Sequence, residues 1–109
     1  MPPITRFAAF KYKQGTTGQQ KRAWFDGLVS LYAANADRVN FAPKVGCNHN
    51  PQGYGKEFDV MFTVEFKSEQ DRDGFMADPR HNEYRASIKD IVEDIIFYDF
   101  VAVDYADFC

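Results

Sequence analysis

Apolar residues fill almost every position of Ile4–Tyr12 (ITRFAAFKY), the pattern of a strand buried on both faces. Thr17 then stands three residues before Gln20, the spacing of a capping box in which each side chain bonds the other's free backbone N–H. A helix is predicted from there, with Trp24, Leu28, Leu31 and Tyr32 forming one apolar stripe, fading near Asn35–Asp37. Residues 38–48 read as extended, and Pro43, which has no N–H to give a ladder, places this strand on a sheet edge or at a bulge. The turn formers of 48–55 make a loop. Glu57–Phe66 (EFDVMFTVEF) alternates as a strand, with Phe58, Val60, Phe62, Val64 and Phe66 on one face and Met61 and Thr63 on the other.

Ser68 is a predicted N-cap for a short helix ending near Ala77. Asp78-Pro79 marks a second start, Asp as cap and Pro at the first helical position. That helix is expected to run to about Asp94, with Tyr84, Ile88, Ile91 and Val92 inward, before a last strand at Ile95–Val103 (IIFYDFVAV). The order β-α-β-β-α-β defines one α+β domain over residues 1–109, a ferredoxin-like four-stranded antiparallel sheet with helices on one face.

Helices on one face leave the other bare. The first, third and fourth strands read as apolar on both faces, and the bare face is expected to carry Phe58, Val60, Phe62, Val64, Ile96, Tyr98 and Phe100. Monomers tolerate only a few hundred Å2 of contiguous apolar surface. The expected cover is a second copy of the sheet, giving a homodimer packed face to face as an α+β barrel.

Composition agrees. The 109 residues include 11 Phe and 6 Tyr, more aromatic area than one small core readily hides. At 17% aromatic the chain is not disordered, and no apolar run is long enough to span a membrane. A net charge of −3 argues against nucleic acid as a partner. Two cysteines, Cys47 and Cys109, are too few for a disulfide scaffold and lack metal-ligand spacing. With no signal-peptide pattern at the N-terminus, a reducing cytoplasm is the expected location.

Few residues suggest chemistry. His81, three residues into its helix, has the proton affinity a base needs near neutral pH. Asp99 interrupts an apolar strand, where a carboxylate is costly unless paired. Arg6 and Asp59 interrupt strands expected to be neighbours, and are expected to form a bidentate ion pair. The alternative for Arg6 is contact with a ligand oxygen. His49, in the loop, is expected to be solvated. Trp24, Phe25, Leu28 and Tyr84 are core by default.

Several segments together resemble the stress-responsive dimeric A/B barrel family: Gly46-Cys-Asn48, Gly53-Tyr-Gly55, Phe58–Phe66 with Ser68, Asp78-Pro-Arg-His81, and Ile95-Ile-Phe-Tyr-Asp-Phe100. The best understood members are plant polyketide cyclases of the olivetolic acid cyclase type, which close a poly-β-keto chain without metal or organic cofactor. The resemblance implies that His81 is a catalytic base and Asp99 its orienting carboxylate. It implies a substrate cavity lined by Arg6, Phe10, Trp24, Phe25, Leu28, Asp59, Met61, Phe75, Tyr84 and Phe97, with no cofactor. Three positions depart from the family pattern: Phe75 replaces a tyrosine, Arg6 a first-strand histidine, and Asp59 a third-strand histidine. The expected function is a cofactor-free cyclase-like or lyase-like enzyme acting on a carbonyl-rich small molecule. The alternatives are a non-catalytic ligand-binding protein and a cofactor-free monooxygenase.

Overall fold

The computed structural model describes residues 2–104. Strand β1 (Ile4–Tyr12) leads into helix α1 (Gly18–Ala34), followed by a 3-10 turn (Ala36–Arg38) and strand β2 (Lys44–Cys47). Strand β3 (Val60–Phe66), helices α2 (Glu69–Ala77) and α3 (Pro79–Ile88), and strand β4 (Val92–Phe100) complete the fold. The sheet order is β2-β3-β1-β4, with every neighbouring pair antiparallel. This is a ferredoxin-like α+β fold. β2 lies at an edge, as Pro43 foretold.

The local signals act as the chain suggests. Thr17 and Gln20 form both halves of the capping box, which places the Trp24–Leu28–Leu31–Tyr32 stripe against the sheet. The Asp78 carboxylate accepts from the Arg80 N–H at 3.0 Å to start α3, one residue after α2 ends. The Asn35 side-chain amide donates to Asp78 at 3.1 Å and ties the end of α1 to that corner.

The boundaries differ in three places. β2 is only four residues long: Arg38 ends a 3-10 turn, Val39 makes only an isolated bridge to Phe66, and the ladder begins at Lys44, after Pro43. β3 begins at Val60, since Lys56 and Glu57 adopt left-handed backbone conformations that no strand contains. α3 stops at Ile88 rather than near Asp94, and β4 spans Val92–Phe100 rather than Ile95–Val103.

The face assignment also needs correction. Val60, Phe62, Val64 and Phe66 are buried beneath the helices, while Met61, Thr63 and Glu65 face the open side. Phe58 precedes β3 and is half-buried. β3 is therefore an ordinary alternating strand, and only β1 and β4 are apolar on both faces. In the antiparallel registers Phe7 lies beside Thr63 and Tyr98, and Ala9 beside Met61 and Ile96. Paired residues share a face, so the open side carries Phe7, Met61, Ile96, Tyr98 and Phe100. Tyr98 is 63% exposed and Phe100 44%. Cys47 is exposed and free; Cys109 lies outside the described residues.

Candidate active site

The same registers dictate where charge enters the core. Arg6 stands between Val64 on β3 and Asp99 on β4, on the helix-covered face. Its Nε donates to Asp99 Oδ1 at 2.8 Å and an Nη to Oδ2 at 3.0 Å, a bidentate pair. Arg72, from α2, approaches the same carboxylate at 3.5 Å. The Arg6 guanidinium lies over the rings of Phe66 and Phe97, 5.2 Å from each centroid, and the residue is 5% exposed. Burial opposes its charge, but the bonds to the Asp99 carboxylate and its charge help raise the proton affinity of Arg6.

This arrangement overturns the expected Arg6–Asp59 pair. Phe10 is opposite Val60, so Asp59 lies about five positions along β1 from Arg6, about 17 Å at about 3.4 Å per residue. The Asp59 carboxylate instead accepts the Tyr12 N–H at 2.8 Å. The expected contact between Asp99 and His81 is likewise not made, because Arg6 takes both carboxylate oxygens.

His81 is 9% exposed and packs edge-on against Phe75, with ring centroids 5.2 Å apart. Its Nδ1 is buried without a hydrogen-bond partner. Burial lowers its pKa below the ordinary value, and the charges of Arg85 and Arg6 push the same way. Burial thus favours the neutral imidazole.

It borders a cavity of about 250 Å3 between the sheet and the helices. β1 contributes Arg6 and Phe10, β3 Phe62, and β4 Val92, Ile95 and Phe97. α1 contributes Leu28, Leu31 and Tyr32, and α2 Phe75. α3 and its C-cap contribute His81, Tyr84, Arg85, Ile88 and Lys89. Tyr32 stacks on Phe75 at 4.5 Å, and burial pushes its phenol up to about 12 although the Arg6 charge pulls it down. Tyr32 is thus a neutral donor at physiological pH. The cavity combines a neutral base with a phenol and a guanidinium, groups able to take a proton and to steady an oxyanion.

Of the residues expected to line the cavity, Arg6, Phe10, Leu28, Phe75, Tyr84 and Phe97 do so together with His81. The others do not. Trp24 is fully buried behind the cavity, its edge contacts made with Phe10 and Tyr12. Phe25 points outward beneath Arg22. Met61 is on the opposite sheet face, and Asp59 is exposed. His49 lies in the exposed loop, as expected. Sequence reasoning did not name Leu31, Tyr32, Phe62, Arg85, Ile88, Lys89, Val92 or Ile95 as cavity residues. Tyr32 shares the Leu28–Leu31 stripe, which was a usable signal; the two cations gave none.

Tyr84 is held in place from two sides. Its hydroxyl donates to the Trp24 carbonyl at 2.8 Å, and its ring lies over Gly27. A Cβ at Gly27 would fall 2.7 Å from ring atom Cε1. Gly→Ala within an exposed helix normally gains about 1 kcal/mol, whereas overpacking costs about 1–3 kcal/mol. Because the hydroxyl bond prevents the ring from swinging away, Gly27→Ala is expected to lower stability by about 1 kcal/mol. A rise in melting temperature would show that the ring moves freely.

A ferredoxin-like sheet with a helix-borne imidazole in a cavity between its layers defines the class of protein. The family follows: the chain belongs to the stress responsive A/B barrel domain family, whose model matches residues 4–102. A search of the curated proteins finds no match to the sequence. Among solved structures, a protein from Arabidopsis thaliana is 14% identical, with 93% of this chain and 96% of that chain covered and a TM-score of 0.83. Hydroxynitrile lyase from Passiflora edulis is 15% identical, covering 94% and 95%, with a TM-score of 0.81. A dimeric ferredoxin-like protein of unknown function from Thermobifida fusca is 19% identical, covering 93% and 92%, with a TM-score of 0.76. At such identities the likeness shows the fold.

Proposed function

We propose that this chain is a small-molecule enzyme that moves a proton beside a carbonyl group, in an aldol-type bond formation or cleavage, with His81 as the base. The observation that carries the reading is the His81 imidazole on the wall of an apolar cavity that also holds a guanidinium and a phenol. Abstraction leaves an enolate oxygen, which Arg6 and the Tyr32 hydroxyl stabilise. Phe75 contributes shape only, as it has no hydroxyl. That a structural relative is a hydroxynitrile lyase supports lyase-like chemistry on this scaffold. The test is exchange of the hydrogens beside the carbonyl of 4-phenyl-2-butanone in D2O, followed by NMR. Exchange faster than in buffer supports the reading; exchange at the buffer rate overturns it.

The open sheet face extends the proposal to assembly. Two copies pair through Phe7, Ile96, Tyr98 and Phe100, which gives cover to apolar surface that a monomer would leave in water. Relatives from Thermobifida fusca and Bacteroides fragilis are described as dimeric. Sedimentation should show a dimer at micromolar concentration, and Tyr98→Lys/Phe100→Lys should give monomer without loss of helix content. A monomeric wild type would refute the pairing.

A further inference from the structure

The charges around the cavity are one-sided. Arg6, Arg85 and Lys89 line it, and no carboxylate does, although acids outnumber bases in the chain as a whole. The charge of Arg6 is already balanced by Asp99, which it meets through Nε and one Nη. Arg85 and Lys89 are exposed, and among the described residues neither enters an ion pair. Both stand at the C-terminal end of α3, where the helix dipole favours cations. The dipole explains their charge but not their place on the cavity lining. The charge of Arg85 also reaches inward, since it is one cause of the lowered proton affinity of His81.

We infer that the cavity takes a molecule with an apolar body and a carboxylate head, the body against Phe10, Phe62 and Phe75 and the head at the mouth beside Arg85 and Lys89; this rests on reading the cavity as a substrate site. The volume of about 250 Å3 offers room for roughly eight water-sized groups at about 30 Å3 each, which octanoate fills. Exposed cations act weakly one at a time, so the pair together should favour the acid over the matching alcohol by about tenfold.

Calorimetric titration of the intact protein with octanoate and with octan-1-ol tests this. At low salt octanoate should bind about tenfold tighter, and added salt should shrink the preference. Arg85→Gln/Lys89→Gln should weaken octanoate about tenfold and leave octan-1-ol unchanged; both side chains are exposed, so circular dichroism should be unaltered. Equal binding of the two probes to the wild type, a preference that survives in the double variant, or binding of neither probe would overturn the inference. His81→Ala should keep the preference for octanoate. A wild type that prefers octanoate but exchanges protons only at the buffer rate would therefore count against the proposed chemistry and not against the carboxylate head.

Discussion

Asp99→Ala should cost the fold about 3 kcal/mol or more, a large share of the roughly 5–15 kcal/mol that holds a domain of this size together. Removing the carboxylate leaves the Arg6 guanidinium buried between Phe66 and Phe97 with its bidentate partner gone. Arginine cannot escape by losing its proton, so the charge stays. Arg72 also loses the oxygen it approaches, which exposes the two cations to each other's field. The Asp99 side chain is 22% exposed, and water reaching that side keeps the cost from being larger. The chemical identity of the pair matters less than its completeness. Arg6→Met with Asp99→Leu should be less damaging than the two single changes summed, as expected when one change strands what the other removes. Asp59→Ala is the control. It removes one exposed acceptor of the Tyr12 N–H and should cost about 1 kcal/mol. Chemical denaturation of the five variants decides the matter; strict additivity, or an Asp59 effect equal to that of Asp99, would refute the assignment.

His81→Ala should reduce catalysed proton exchange by about 10²–10⁴-fold while the chain still folds. The base works in its neutral form, and burial has lowered its pKa. The wild-type rate should therefore rise with pH below the ordinary histidine value of about 6.5 and be flat through neutrality. The variant should lack that rise. Stability follows the same group. In the unfolded chain the imidazole binds a proton more readily than in the fold, so the contribution is complete above about pH 6.5 and is lost as pH falls below it. His81→Ala should flatten this acid-side decline. Exchange rate and melting temperature measured on one sample separate a catalytic from a structural imidazole. Full exchange activity with a lowered melting temperature would leave a binding protein.

What the sequence disclosed was mostly what neighbours along the chain decide. The Thr17–Gln20 box, the Asp78-Pro79 corner and the alternation of Val60–Phe66 each depend on a few adjacent residues, and each is present. The α3–β4 junction was misplaced because Tyr84, Ile88, Ile91 and Val92 continue a helical spacing across it, and Lys89-Asp90 contains no Gly or Pro to mark the stop. The Ile91 N–H closes a turn on Ile88, and β4 begins directly after it. Which face of β3 the helices cover was not legible, since alternation gives two faces without saying which is inward. The partner of Arg6 depends on the β1–β4 register, a contact 93 residues apart in sequence. The resemblance correctly placed His81 beside the cavity, yet assigned Asp99 to it. In this chain the first-strand position holds arginine, and that arginine claims the carboxylate.

The Asp78-Pro79 corner has a consequence for how such a protein can change. His81, Tyr84, Arg85, Ile88 and Lys89 all come from one helix and its final cap, eleven consecutive positions entered through a self-capping turn. The sheet supplies the cavity's floor but neither the base nor the exposed cations at its mouth. On the proposed reading, reactivity and ligand choice are carried on a short replaceable cassette, while the Arg6–Asp99 pair lies elsewhere. Exchanging residues 79–89 between relatives should carry specificity across with little effect on folding, a route by which one scaffold acquires new chemistry a single segment at a time.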